Sequence, residues 1–124
     1  VEGIRGEIAA CGACFCVVER DARVAGFATC FPFRTGPGYA HTREHSIQVT
    51  ASLRGQGAGR ALMTALEAAA RAEGVHALWA GVSGENPGGV AFHKAIGFSE
   101  IARLPQVGRK FDRWMDLVLL QKFL

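Results

Sequence analysis

A glycine-rich segment between two stretches of different periodicity constrains the fold of this chain most. Residues 54–60 read Arg-Gly-Gln-Gly-Ala-Gly-Arg, between a strand-like segment at 46–51 and an alanine-rich helical segment at 61–73. Glycine lets the backbone approach a ligand closely, and the first N–H groups of a helix lack intrahelical acceptors. The segment is therefore typical of a loop that binds an anion at a helix N-terminus. A plain surface turn with three glycines is the alternative.

The loop lacks residues that two common phosphate-binding motifs require. A P-loop needs lysine and then serine or threonine after its last glycine, whereas Arg60 and Ala61 follow Gly59. A dinucleotide fingerprint needs a third glycine where Arg60 stands, and it normally follows the first strand of a βαβ unit. The first motif is excluded and the second is poorly supported.

Length and composition indicate a single domain over residues 1–124. The chain is 49% hydrophobic and 20% charged, which suits one buried core. Its formal charge of +3 comes with scattered arginines and does not indicate a nucleic-acid surface. No apolar segment approaches the length of a membrane span, and the first residues lack a signal-peptide pattern. We therefore expect no nucleic-acid partner, no membrane contact and a cytoplasmic location.

The four cysteines raise the question of a metal or redox site. Cys11-x-x-Cys14 is half of such a motif, but no second pair has ligand spacing. Cys14 and Cys16 lie on one face of a strand-like segment, and Cys30 lies in another. We expect buried, reduced thiols that pack as small apolar side chains, and no metal site.

Hydrophobic periodicity predicts an α/β fold. Helices are expected at residues 2–10, 57–73 and 89–95, and strands at 15–19, 23–31, 42–51, 77–82, 98–107 and 111–120. The last two strands are expected to form a hairpin that turns around Gly108, and Gly74 is a natural residue to follow the long helix. Alternation in the 42–51 strand separates Thr42, Glu44, Ser46 and Gln48 on one face from His45, Ile47 and Val49 on the other.

Five motifs in this chain resemble the GNAT family of acyl-CoA-dependent N-acetyltransferases, and they occur in the same order and at similar spacing. Arg54-x-x-Gly57-x-Gly59 resembles its pyrophosphate loop. The others resemble the phosphinothricin and methionine sulfoximine acetyltransferase branch: Tyr39-x-x-Thr42-x-Glu44-His45-Ser46, Asn86, Phe92-His93-Lys94-x-x-Gly97-Phe98 and Val107-Gly108-Arg109-Lys110-Phe111-x-Arg113-Trp114-x-Asp116. In the last motif Asp112 stands where the branch has glycine, and aspartate tolerates the positive φ that a turn requires.

The resemblance implies the GNAT fold, a mixed and mostly antiparallel sheet flanked by helices. Relative to that fold, the resemblance implies a chain that lacks the first strand and first helix, which normally precede the predicted 2–10 helix. Either the chain is shortened at its N-terminus or a partner covers the edge. An uncovered sheet edge invites association, and the branch is commonly dimeric, so a homodimer is expected.

The resemblance also implies acetyl-CoA as co-substrate and two catalytic residues. Glu44 occupies the position of the glutamate that acts as general base on the amine. His93 matches a family histidine and is a candidate acid near the cofactor sulfur, with a packed helix histidine as the alternative. Tyr39 is the only tyrosine, so no second tyrosine can supply that proton. The remaining histidines, His41, His45 and His76, are expected to have no chemical role.

The remaining site residues follow from the same resemblance. The backbone N–H near Val49 is expected to face the acetyl carbonyl, and for Asn86 helix capping is the alternative to a cofactor contact. The expected cofactor-binding residues are Val49, Thr50, Arg54, Gly55, Gln56, Gly57, Ala58, Gly59, Arg60 and Asn86. The expected substrate-binding residues are Phe33, Arg34, Tyr39, Thr42 and Trp114.

The hypothesis from the sequence is therefore an N-acetyltransferase for a small amino-acid-like amine of the phosphinothricin, methionine sulfoximine or methionine sulfone type. Direct attack of the amine, with Glu44 as base, is the expected mechanism. Two alternatives stay open: an acetyltransferase for peptide or protein amino groups, and a catalytically silent acyl-CoA-binding domain.

Overall fold

The computed structural model describes residues 7–12, 15–51, 55 and 57–124 of the chain. Within them, seven strands form one sheet in the order β1-β2-β3-β4-β5-β7-β6. In chain order the elements are β1 (Glu7–Gly12), β2 (Phe15–Arg20), β3 (Arg23–Pro32), a 3-10 turn (Pro37–Tyr39), β4 (Thr42–Val49), α1 (Ala58–Ala72), β5 (Ala77–Ser83), α2 (Pro87–Ala95), β6 (Ser99–Lys110) and β7 (Arg113–Phe123). Neighbouring strands are antiparallel except β4 and β5, which are parallel. The predicted GNAT sheet is confirmed.

The core lies on one face of the sheet, under both helices. Leu62 and Leu66 of α1 are fully buried against strand residues such as Leu78 and Leu120. Burying a leucine contributes about 1.5–3 kcal/mol, so this helical stripe is a main source of stability. Phe92 of α2 packs at the edge of the same core.

The helical periodicity of the alanine-rich segment predicted α1 well. Gly57, in the left-handed conformation with φ of 84°, precedes the helix, and Gly74 with φ of 82° follows it. The expected C-terminal glycine is thus confirmed. The second helix begins at Pro87, two residues earlier than predicted, because Asn86 caps it and proline suits a first helical turn.

The turn of the last hairpin lies at Phe111 and Asp112, with φ of 53° and 58°. The prediction of a turn around Gly108 was therefore wrong, since Gly108 pairs with Met115 inside the hairpin. A two-residue turn with positive φ at both positions matches the twist of the flanking strands. Asp112 meets that requirement, because aspartate tolerates a positive φ better than most residues, as expected from the sequence.

The helix predicted over residues 2–10 was wrong at residues 7–10, which belong to β1; residues 2–6 lie outside the described part. Ile8 pairs with Val18 of β2, so backbone pairing prevailed over an isolated four-residue apolar spacing.

The expectation of reduced thiols was wrong for Cys16 and Cys30, which are disulfide-bonded. Cysteine spacing along the chain does not reveal which sulfur atoms come within bonding distance in the fold.

The described residues contain no helix that is long and apolar enough to span a lipid bilayer.

Candidate functional site

A cleft opens where the two parallel strands at the centre of the sheet separate. The pairing of β4 with β5 ends at His45 and Ala80. Beyond that point β4 continues to Val49 along β3, and β5 continues to Ser83 along β7. The outer edges of both strands stay paired while their inner edges part. The parallel pair therefore forms a V that can admit an extended ligand.

The cleft has a volume of about 1520 Å³. It is lined by the diverging strands, the glycine loop and the first turn of α2, with Arg60 and Lys110 as its cationic residues among those described. The residues that line the cleft include Glu44, His45, Ser46, Ile47, Gln48, Val49, Thr50, Gly55, Gly57, Gly59, Arg60, Gly81, Val82, Ser83, Asn86, Phe92, His93 and Lys110.

The N-terminus of α1 forms one end of the cleft. The N–H of Ala61 donates to the carbonyl of Gly57 at 3.0 Å, which is the first bond of the helix. The N–H groups of Ala58, Gly59 and Arg60 precede it and have no intrahelical acceptor. No acidic side chain lies in the first turn, and none of the described side chains caps it. This end of the helix is therefore suited to an anion.

The structure brings most of the predicted loop residues to this place. Gly55, Gly57, Gly59 and Arg60 line the cleft, whereas the side chain of Ala58 is fully buried beneath the loop. Arg54 and Gln56, both predicted cofactor residues, lie outside the described residues. Val49 and Thr50 also line the cleft.

Asn86 caps α2 and also lies at the wall of the cleft. Its Oδ1 accepts a hydrogen bond from the N–H of Gly89 at 3.0 Å, which caps α2. The residue also lines the cleft. Capping fixes the side chain at the cleft wall, so the capping role does not compete with contact to a ligand.

Glu44 lies on the face of the sheet opposite the core. Its carboxylate forms no hydrogen bond or ion pair with the described residues, and partial burial raises the pKa of this carboxyl above its ordinary value of 4.5. An unpaired carboxylate with a raised pKa at the edge of a cleft can accept a proton from a ligand.

Gly81 of β5 makes room for this carboxylate. A β-carbon at residue 81 would lie 3.1 Å from Glu44 Oε2, closer than an ordinary van der Waals contact. Sequence reasoning did not single out Gly81. The signal was a glycine inside a predicted strand, which often marks a close approach.

Two histidines meet on the other face, at the point where the strands part. His45 Nε2 and His93 Nε2 are 3.1 Å apart, and His93 Nδ1 lies 2.7 Å from the carbonyl oxygen of Gly89. Both rings are 5% exposed. Burial and the neighbouring His93 lower the pKa of His45 to about 3, and burial lowers the pKa of His93. Both rings are therefore neutral at neutral pH.

His45 was expected to have no role, yet it is the buried centre of this pair. Its Nδ1 is buried and has no hydrogen-bond partner in the described part of the protein. No sequence signal distinguished it from an ordinary core histidine, because its partner is 48 residues away in the chain.

The predicted substrate-binding residues, Phe33, Arg34, Tyr39, Thr42 and Trp114, are not among those that line the cleft. Phe33 stacks on Trp79 with ring centroids 5.3 Å apart, and Trp79 is the register partner of Glu44. Thr42 precedes Glu44 by two residues in β4 and so shares its face. These two residues thus lie near Glu44.

The other three predicted substrate residues make contacts outside the cleft lining. The Arg34 guanidinium lies 5.4 Å from the ring centre of Tyr39. Trp114 is 57% exposed, with the Arg109 guanidinium 4.6 Å from its ring centre.

Among the described residues, no three His, Cys, Asp or Glu side chains are grouped to bind a metal ion.

Comparison with known proteins gives a consistent result. Residues 4–98 match the model of the Acetyltransferase (GNAT) family. Over 105 residues the chain is 38% identical to the L-methionine sulfoximine/L-methionine sulfone acetyltransferase of Salmonella typhimurium, covering 85% of this chain and 61% of that protein. The chain therefore spans less than two thirds of the length of this curated relative.

Two solved structures are also similar. The ribosomal-protein-alanine N-acetyltransferase from Brucella melitensis superposes with a TM-score of 0.84 at 43% identity, covering 89% of this chain and 68% of the other. A phosphinothricin acetyltransferase from Sinorhizobium meliloti, solved in complex with AcCoA, gives a TM-score of 0.82 at 31% identity, covering 89% and 60%.

Proposed function

The chain belongs to the GNAT family of acetyltransferases, and we propose that it transfers an acetyl group from acetyl-CoA to the amino group of a small amino-acid-like molecule. The cleft between β4 and β5 is the observation that carries this proposal. Its diverging strands suit an extended arm that lies along them like an added strand. Its glycine-lined helix end suits the anionic part of the same molecule.

The residues around the cleft fit such a ligand. Gly57 and Gly59 leave the backbone open at the helix N-terminus, and Arg60 adds a positive charge beside it. We assign the diphosphate to this end, with Asn86 beside the arm and the N–H near Val49 facing the acetyl carbonyl. A donor placed there stabilises the negative charge that develops on the carbonyl oxygen. When bound, acetyl-CoA supplies the acetyl group as its thioester.

Glu44 is the proposed general base. An amino group is protonated in water near neutral pH and must lose a proton before its nitrogen lone pair can attack. The carboxylate of Glu44 takes that proton, directly or through one water molecule. Its raised pKa supports this role, as does the absence of a competing partner within the described part of the chain.

The acceptor is proposed to lie on the Glu44 face of the sheet. Phe33 and Thr42 are near Glu44 there, and Arg34, Tyr39 and Trp114 are the further substrate residues of the proposal. The names of the relatives support a phosphinothricin- or methionine sulfoximine-type amine. A homodimer and a cytoplasmic location stay predictions.

A second candidate is acetylation of a protein amino group. The similarity to the ribosomal-protein-alanine N-acetyltransferase favours it. The half-buried state of Glu44 is compatible with a peptide N-terminus entering from the open face. A silent acyl-CoA-binding domain would bind the cofactor without turnover.

A thiol-release assay with acetyl-CoA separates these functions. The amines are L-methionine sulfoximine, L-methionine sulfone, phosphinothricin and short peptides, and the variants are Glu44→Gln and, as a control outside the cleft, Glu19→Gln. We expect turnover with the amino-acid analogues, a loss of about 10²–10⁴-fold in kcat/KM for Glu44→Gln, and no loss for Glu19→Gln. Turnover of peptides alone would favour the second function. Cofactor binding without turnover on any amine would contradict the enzyme proposal.

A further inference from the structure

Lys110, the last residue of β6, lies on the same face of the sheet as Glu44. The register pairs Lys110 with Arg113 of β7, and directly opposed residues of an antiparallel pair share a face. Along β7, Arg113 shares its face with Leu117, four residues further on. A β-carbon at residue 81 would lie 3.1 Å from Glu44 Oε2 and 3.5 Å from Leu117 Cδ1, so these two side chains are on one face. Lys110 is therefore on the side of the sheet where the acceptor is proposed to lie.

Two contacts hold the tip of the last hairpin at the wall of the cleft. The Arg113 guanidinium donates to both carboxylate oxygens of Glu85, at 2.7 and 2.9 Å. The N–H of Gly84 donates to the carbonyl oxygen of Asp116 at 2.8 Å. Gly84 and Glu85 directly precede Asn86, which lines the cleft. The fold thus fixes the tip of the hairpin beside the cleft.

Lys110 is the cation at this tip that is available to a ligand. Arg113 is held by Glu85, and the Arg109 guanidinium is 3.9 Å from the carboxylate of Asp112. Lys110 forms no ion pair with any residue that the structure describes. Its side chain is exposed and lines the cleft. An ammonium with three N–H donors at a cleft wall is suited to an anionic group.

The charges of Glu44 and Lys110 match the two charged groups of an amino acid. The Glu44 carboxylate is the proposed acceptor of the amine proton, and the Lys110 ammonium complements a carboxylate on the same molecule. A free amino acid carries both groups close together. The N-terminal residue of a peptide has the amine, but an uncharged amide takes the place of its carboxylate.

We propose that Lys110 binds the carboxylate of the acceptor and thereby selects free amino acids over peptide N-termini. This inference rests on the proposed function, because it concerns the acceptor of the same reaction. The two described cations of the cleft then have separate ligands: Arg60 serves the cofactor diphosphate and Lys110 serves the acceptor. Lys110 belongs to the motif at residues 107–116, and the sequence assigned it no role.

A pair of acceptors that differ only in this charge measures the recognition. L-methionine sulfone has a free carboxylate, and its α-amide lacks that charge and imitates the first residue of a peptide. The measured quantity is the ratio of kcat/KM for the acid to kcat/KM for the amide. Differences in the intrinsic reactivity of the two amines cancel when this ratio is compared between enzyme variants.

Wild type should prefer the acid, and Lys110→Gln should lower the ratio by about tenfold or more, as expected for one lost charge-assisted contact. The loss should appear in KM for the acid and leave kcat nearly unchanged, because the contact is the same before and during the reaction. Lys94→Gln is the matched control, since Lys94 is an exposed lysine of α2 whose Nζ is 3.5 Å from Glu100. It should keep the wild-type ratio.

The results that overturn the proposal are distinct from those that overturn the proposed function. An unchanged ratio in folded, active Lys110→Gln would overturn the lysine assignment alone, as would a wild type that does not prefer the acid. Calorimetry with acetyl-CoA should give equal affinities for wild type and Lys110→Gln. Weaker binding by the variant with an unchanged ratio would show that Lys110 serves the cofactor instead. Absence of acetyl-CoA binding by wild type, or of turnover with any amine, would end both proposals.

Discussion

Replacing Gly81 by alanine should impair turnover while leaving the fold intact. The new β-carbon would lie 3.1 Å from Glu44 Oε2 and 3.5 Å from Leu117 Cδ1. The second distance is an ordinary contact, so the carboxylate is what must move. Its displacement is a few tenths of an ångström, and it lies at the free end of a flexible side chain.

The size of the effect follows from this displacement. A 1 Å error in the position of a reacting group can cost about 10²-fold in rate. A shift of a few tenths of that distance should lower kcat/KM by about 3–10-fold, or roughly 0.7–1.4 kcal/mol of transition-state stabilisation. Stability should change by less than about 1 kcal/mol, because the loss of glycine flexibility in the unfolded chain offsets the tighter contact.

The assay is thiol release with L-methionine sulfoximine, together with urea unfolding of the same protein. Gly108→Ala is the matched control, since Gly108 is a strand glycine whose added β-carbon would meet Met115 O at 3.6 Å, away from the cleft. Wild-type kcat/KM in a cooperatively folded Gly81→Ala would show that Glu44 does not need this space to act.

Three further predictions concern charge. Glu67→Gln weakens the contact with Lys122, whose Nζ is 2.9 Å from Glu67 Oε1. Urea denaturation should show a free energy of unfolding lower by about 1–3 kcal/mol. An unchanged free energy of unfolding would contradict a structural role for this ion pair. His45 has its pKa lowered to about 3 in the fold, against 6.5 unperturbed. The unfolded chain therefore binds more protons between these values, so stability should fall as pH decreases below about 6.5, by at most about 1.4 kcal/mol per pH unit; His45→Gln should flatten this dependence. The raised pKa of Glu44 predicts that kcat/KM rises with pH through a value above 4.5, and a midpoint at or below 4.5 would contradict its role as base.

Features set by local sequence could be predicted. The strands β2 to β5 and helix α1 follow from periodicity and from glycine at both helix ends. The resemblance of ordered motifs to GNAT acetyltransferases led to Glu44, Asn86 and the glycine loop, and these residues do line one cleft.

Features set by contacts between distant segments could not be predicted. β1 exists because its backbone pairs with β2, which no short apolar spacing reveals. Gly81 matters only because Glu44 lies opposite it across the parallel pair. The sequence could not show that His45 is hydrogen-bonded to His93, because His93 lies on α2, 48 residues further along the chain. In each case the sequence contains the residue but not its neighbour in space.

Under the proposed function, the cleft binds acetyl-CoA with its diphosphate at the start of α1. Calorimetric titration of acetyl-CoA into wild type, Arg60→Gln and Arg71→Gln measures this binding at a matched charge, because both variants remove one positive charge from the same helix. Arg60 lies in the first turn at the cleft, and Arg71 lies in the last turn, where its exposed guanidinium is 3.7 Å from the buried carboxylate of Glu67. We predict saturable binding by wild type and Arg71→Gln, and about tenfold weaker binding by Arg60→Gln, as expected for one lost charge-assisted contact. If wild type shows no saturable binding, or if the two variants bind equally well, the diphosphate is not held at this end of α1.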